Sequence, residues 1–540
     1  MPHPLSTEPI SRRPLRWTAL AAVAAVGLSA CTGPADQNSA PPSAPQATAT
    51  GQGEASEPAS GESTVAPTAE GSAQALKTLQ EFQDQELTWE ECEGSFECTT
   101  VQAPLDYQDP GSGQIELALV RSAQAGEDAP HLLLNPGGPG ASGVDMVTQT
   151  LDFVVSQDVQ EQFTVVGFDP RGVSRSAPVT CLDDEAMDQA RQEQVDPSTD
   201  EGLEQLRQDS AEFAQACQEN TGEVLGHVAT QTAAQDMELM RLVLGDEKLN
   251  YLGFSYGTAL GASYAEQFPQ TVGRFVLDGA MDPSLSEHEV TMGQAHAFEK
   301  ALHSWAEWCL EGDSCPLTGT PENGVAQLQR LIRQVEEQPM ESSDGRIVPV
   351  STFVSGLITP LYANENWTTL NMAVAEAMNG SVDTMLMLAD LNAGRDPDGT
   401  YSSNINAAFT AINCLDATSP ADTQTLRAQA AELDEASPTL GRFLAYGAVS
   451  CEEWPAEPAS EPAPVTAEGA DPILVIGTQG DPATPYEWAP ALADQLASGV
   501  LLTWTGEGHT AYGRAGDCIG AAVDGYLIEG IVPEDGLVCD

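Results

Sequence analysis

Residues 251–261 read YLGFSYGTALG, with Ser255 between Gly253 and Gly257. The G-x-S-x-G pattern is weak alone: with 48 glycines in 540 residues, chance produces it in about one such chain in three. Its flanks give it meaning. LNYLGF (249–254) has the apolar, aromatic texture of a strand, and TALGASYAEQF (258–268) has helical spacing. A serine on such a strand-to-helix turn is lifted above the sheet, and the glycines let strand and helix approach closely. Ala259, Gly261 and Ala262 extend that close packing along the helix. Ser255 is therefore the candidate nucleophile. A serine merely near glycines would lack this setting.

Short Leu-rich or β-branched runs bounded by glycine and proline recur outward from this turn. IELALVR (115–121), HLLLN (131–135), FTVVGFD (163–169) and RFVLDGA (274–280) read as strands. AAQDMELMRLVLG (233–245) supplies another helical pattern between them. Alternating strand and helix points to an α/β class with a mostly parallel sheet covered on both faces. From 283 to 466 the texture turns helical and loop-like. PILVIGT (472–478), EWAPALADQLA (487–497) and GVLLTWTGEGH (499–509) then restore the strand–helix alternation. A sheet that is interrupted and later completed is one domain with an insertion. The expected division is a core over 74–282, an inserted helical cap over 283–466, and the rest of the core over 467–540.

A serine hydroxyl needs a base to take its proton. Beyond the leader the histidines are His131, His227, His288, His296, His303 and His509. Only His509 follows the last expected strand in a glycine-flanked loop, GEGHTAY, at the sheet edge where strand ends converge. The base in turn needs an acid to hold its tautomer. Asp481, in GDPATP just past 472–478, is the first choice, and Asp278, ending strand 274–278, is the rival. Thr484 is placed to hydrogen-bond the Asp481 carboxylate or simply to make the turn. A tetrahedral intermediate needs donors for its oxyanion. These are assigned to the backbone N–H of Tyr256 and to NPGGPGASG (135–143), with Gly138 preferred and Gly137 next. No G-K-[ST] follows that run, so it is not a phosphate loop.

The remaining composition narrows the class. Formal net charge is −61, and lysine occurs only at 77, 248 and 300. Clustered positive charge is missing, which excludes nucleic acid as the expected partner. The first thirty residues carry Arg12, Arg13 and Arg16 before an apolar run too short to span a bilayer, so 1–30 reads as a signal peptide. Leu28-Ser29-Ala30-Cys31 resembles a bacterial lipobox with Cys31 acylated, and SRRPLR (11–16) resembles a twin-arginine export signal. After Cys31, the chain to residue 73 is chiefly Ala, Pro, Ser, Thr, Gly, Gln and Glu with almost no large apolar side chain, so 31–73 reads as the lipidated cysteine and its flexible tether. The expectation is an exported protein, secreted or held to the outer face of the cell membrane by its lipid anchor alone. Ten further cysteines form neighbours in sequence: Cys92–Cys98, Cys181–Cys217, Cys309–Cys315, Cys414–Cys451 and Cys518–Cys539. In an exported chain without C-x-x-C pairs these read as disulfides rather than metal ligands, and no metal or cofactor is expected.

Taken together, NPGGPGASG, GFDPRGVSRS (167–176), LNYLGFSYGT, GDPATP and GEGHTAY resemble the secreted actinobacterial tripeptidyl aminopeptidases, including envelope-anchored members. The resemblance runs from CTTVQAPLDY near residue 98 to the C-terminus and takes in AINCLD (411–416). Prolyl aminopeptidases of the wider group carry His-Gly-Gly-Pro-Gly; here Pro136 stands in place of that histidine. The resemblance implies an α/β-hydrolase fold with a large helical cap, release of short peptides from free N-termini, and Ser255, Asp481 and His509 as triad. Binding of a substrate ammonium calls for cap carboxylates, for which Asp416, Glu287 and Glu365 are candidates. A carboxylesterase uses the same machinery, and a catalytically idle envelope-binding lipoprotein is the reading from another class.

Overall fold

The computed structural model describes residues 78–122, 124–126, 129–417 and 420–540. Cys31, the leader and the tether lie outside them. Twelve strands are formed among the described residues: β1 (Glu90–Cys92), β2 (Phe96–Pro104), β3 (Gln114–Ser122), β4 (His131–Asn135), β5 (Thr164–Phe168), β6 (Leu249–Phe254), β7 (Val272–Asp278), β8 (Met340–Glu341), β9 (Ile347–Val348), β10 (Ile473–Gly480), β11 (Gly499–Glu507) and β12 (Leu537–Cys539). Ten of them make one sheet in the order β1-β2-β3-β5-β4-β6-β7-β10-β11-β12. From β5 to β12 every pairing is parallel. The β1–β2–β3–β5 edge is antiparallel. This is an α/β-hydrolase fold.

The two-residue side-chain period builds a core on each face of the sheet. In β4, Leu132 and Leu134 join Val147 and Leu151 of helix Gly143–Val154, while Leu133 points to the face that holds Leu260 of helix Tyr256–Gln267. In β10, Leu474 and Ile476 take the first face, and Ile473 and Val475 the second. The strand side chains named are fully buried, and each contributes roughly 1.5–3 kcal/mol of transfer free energy.

After β7 the chain leaves the sheet, and β10 returns to pair directly with β7. The excursion starts helical because Ser286 and Glu289 form a reciprocal capping box at the head of helix Glu287–Glu311. Helices Pro321–Glu337, Val350–Ile358, Trp367–Met378 and Asp383–Ala393 follow. They close a separate apolar cluster around Trp305, Leu328, Phe353 and Leu370. Helix Ile405–Asp416 behaves differently: Ala408, Ala411, Ile412 and Leu415 pack into the main sheet core. All five cysteine pairs expected from sequence proximity are bonded. No helix among the described residues is long and apolar enough to cross a membrane.

Candidate active site

Ser255 stands between β6 and helix Tyr256–Gln267 with φ 55° and ψ −124°, a strained conformation for a residue with a side chain. A serine at a helix start usually spends its hydroxyl on capping; here it makes no cap hydrogen bond. The turn is held from outside instead. Ser255 N–H donates to the Asp278 carbonyl (2.9 Å), and its own carbonyl accepts from Thr258 N–H (2.8 Å) and Thr258 Oγ1 (2.6 Å).

Asp481 directly follows β10, and β11 runs into the loop bearing His509. Five donors converge on the Asp481 carboxylate. Ala483 N–H and Thr484 N–H bond Oδ1 at 2.9 Å each, Thr484 Oγ1 and Thr510 N–H bond Oδ2 at 2.9 and 3.2 Å, and His509 Nδ1 lies 2.9 Å from both oxygens. Such a shell fixes the imidazole tautomer with Nδ1–H toward the acid and Nε2 free as acceptor. Nε2 is indeed the nitrogen left buried without a partner. The hydrogen bond to Ser255 is not made in this structure. Asp278, the rival acid, is engaged differently: its carboxylate accepts from Ala511 N–H (3.0 Å to each oxygen) and Tyr512 N–H (2.7 Å). Burial pushes its pKa up to about 6 despite those bonds and the nearby imidazole.

The run after β4 closes on the serine from the other side. Gly137 has φ +97°, and a Cβ there would lie 2.5 Å from the Phe254 carbonyl oxygen and 3.0 Å from Ser255 Cβ, so only glycine fits. Its N–H is consumed by Asn135 Oδ1 at 2.9 Å. Gly138 N–H, in contrast, makes no hydrogen bond within the described residues, nor does the N–H of Tyr256. Asn135, Tyr362 and Asp169 are missed by the sequence reading. Tyr362, from the segment inserted between β7 and β10, accepts His509 N–H on its carbonyl (2.7 Å) and sets its ring edge-on to the imidazole at 5.6 Å. Asp169 takes Ser142 Oγ (2.5 Å), Val144 N–H and Arg175 N–H, fastening the end of the glycine run. Asn-Pro at a strand end was the one legible signal, since asparagine commonly bonds the backbone two residues on.

The three carboxylates proposed for an ammonium have different surroundings. Both oxygens of Asp416 are engaged by Thr230. Glu365 is exposed and paired with Arg514 at 3.0 Å. Glu287 lies in the first turn of its helix, facing Gly447. A cavity of about 620 Å³ opens between residues 174–191 and three inserted helices, lined by Arg175, Arg191, Tyr401 and Phe409 among others, but neither Ser255 nor His509 lines it. Ser255 and His509 are themselves only 5% and 6% exposed.

Residues 437–539, which carry Asp481 and His509, match the family model described as TAP-like protein. The serine protease Hip1 of Mycobacterium tuberculosis is 36% identical over 466 residues, 83% of this chain and 88% of that one. This chain belongs to the tripeptidyl aminopeptidase family. Within that family, the tripeptidyl aminopeptidase of Streptomyces lividans is 30% identical over 84% of this chain and 86% of its own length. Carboxylesterase B of M. tuberculosis is 35% identical over 82% and 86%. Like its family, the protein is a serine hydrolase.

Proposed function

We propose that the protein is a serine exopeptidase that releases short peptides, of tripeptide size, from free N-termini through an acyl-enzyme. Ser255 Oγ attacks the scissile carbonyl while His509 Nε2 takes its proton. Asp481 holds the imidazole and stabilises the imidazolium. The N–H groups of Tyr256 and Gly138 receive the oxyanion. His509 then protonates the leaving amine, and water releases the acyl group by the same steps in reverse. The observation that carries this reading is the fixed Asp481–His509 pair, whose unpartnered Nε2 belongs to the same strand-end rim as a strained, uncapped serine.

Esterase action is the second reading, favoured by the carboxylesterase name among the relatives. Turnover of a tripeptide 4-nitroanilide with a free N-terminus, its N-acetylated form and 4-nitrophenyl acetate separates the two. An exopeptidase loses the acetylated anilide by at least a hundredfold; indifference to acetylation refutes the aminopeptidase reading. An inert envelope-binding protein would turn over none of the three. The proposal extends to location: an exported chain anchored through an acylated Cys31, checked by fatty-acid labelling that Cys31→Ala abolishes.

A further inference from the structure

Helix Ile405–Asp416 of the inserted segment meets the glycine run at one end and, through Thr230, the Tyr256 side chain at the other. Near its start the glycine run comes against it. Gly140 has φ +100°, and a Cβ there would lie 2.8 Å from the Ile405 carbonyl oxygen and 3.1 Å from Ala408 Cβ. At its end, Asp416 reaches across to the sheet domain. Its Oδ1 accepts Thr230 N–H at 2.8 Å, and its Oδ2 accepts the Thr230 hydroxyl at 2.5 Å.

Thr230 is the first residue of helix Thr230–Leu244, whose N-cap, Ala229, has no side-chain oxygen to offer. Asp416 supplies that acceptor from 186 residues away in sequence. A threonine hydroxyl has one proton, and Thr230 gives it to Asp416. Thr230 Oγ1 is then left to accept from the Tyr256 hydroxyl, with which it is in close contact. The chain therefore runs Tyr256 O–H to Thr230 O–H to the Asp416 carboxylate. Tyr256 is 6% exposed, so its hydroxyl has few other partners to choose from. Burial raises its pKa well above the ordinary phenol value and keeps it a donor.

We infer that Asp416 is a positioning residue for the hydrolytic site: through Thr230 it fixes the Tyr256 side chain and so aims the Tyr256 N–H at the oxyanion. The inference rests on the triad and oxyanion assignment above, and it gives Asp416 a task other than binding a substrate ammonium. Without its acceptor, Thr230 N–H loses its partner and the hydroxyl chain loses its direction, both at a buried position. Small shifts matter here, because oxyanion donors act at 2.7–3.1 Å and removal of one costs about 10²–10³ in kcat.

The experiment compares the full chain with Asp416→Asn, Thr230→Val, Thr230→Ser, Tyr256→Phe and the Asp416→Asn/Tyr256→Phe double variant. Each is assayed on the tripeptide 4-nitroanilide and on 4-nitrophenyl acetate, which has no ammonium to bind. Circular dichroism and melting temperature establish folding. The expected result is a ten- to hundredfold lower kcat for Asp416→Asn on both substrates, with KM within twofold. Thr230→Val should match it, Thr230→Ser should restore most of the rate, and the double variant should be no worse than Asp416→Asn. A rise in tripeptide KM alone, with ester turnover intact, would assign Asp416 to the ammonium and overturn the inference. So would additive losses in the double variant, or a Thr230→Ser enzyme as poor as Thr230→Val. Were wild type to cleave the ester and not the peptide, the peptidase reading would fall, and the ester series would still decide the task of Asp416.

Discussion

The loops after β7 and β10 leave neighbouring strands, and each begins at a buried aspartate beside His509. Asp481 opens both oxygens to the imidazole. Asp278 turns its oxygens to the N–H groups of Ala511 and Tyr512, while its backbone carbonyl receives Ser255 N–H. Side chain and main chain of one residue thus join the Ser255 turn to the histidine loop. Two aspartates in similar strand-end positions differ in what they hold: Asp481 the imidazole of His509, the proposed base, and Asp278 the loop that follows it. Position on the sheet names the candidates, and the direction of the nearest N–H groups separates them.

The largest effect expected from breaking this comparison belongs to Asp481→Asn. An amide in that shell presents a donor to Nδ1 and stabilises the wrong tautomer, so kcat should fall by about 10³–10⁴ on peptide and ester alike, read from steady-state kinetics. Asp278→Asn should cost about ten- to a hundredfold in kcat with KM unchanged, because it slackens the loop without touching the imidazole. The two parameters measured together distinguish loosening from lost substrate binding.

The same variant sharpens the electrostatic side. Asp278 holds its proton more tightly folded, at a pKa of about 6, than in an unfolded chain near 3.9. Its contribution to stability is therefore fully present below about pH 4 and is lost as the pH rises through 6. Denaturant unfolding of wild type and Asp278→Asn should show their stability difference moving toward the variant by up to about 3 kcal/mol between pH 4 and 7. Thr484→Val should lower kcat only about two- to tenfold, since four of the five donors to Asp481 remain. Glu365→Gln breaks an exposed pair with Arg514 and should leave both activities within twofold.

Legibility follows sequence distance. The strands β4 and β6 are readable to the residue because apolar alternation and turn residues are local signals. Ser255, Asp481 and His509 each lie just past a strand, so one rule about strand ends points to all three. The antiparallel strand β2, FECTTVQAP, escapes that reading because its polar residues weaken the alternation. Asp416 reads as a free acid because its partner Thr230 is 186 residues away, and Arg171 gives no hint that it is buried against Asp236, 65 residues on. Tyr362 belongs to the inserted segment, whose helical texture is visible while its approach to His509 is set by tertiary packing. Pairings that hold a site together across the chain carry no periodicity to read.

Labelling by a fluorophosphonate, with the adduct located by peptide mass analysis, reports on whether Ser255 is activated through His509 and Asp481. One adduct is expected, on the peptide containing Ser255, lost in Ser255→Ala. Its rate should fall at least a thousandfold in Asp481→Asn, and no more than about a hundredfold in Asp278→Asn. An adduct on another residue, or an Asp481→Asn protein that labels as fast as wild type while Asp278→Asn does not, would contradict that activation.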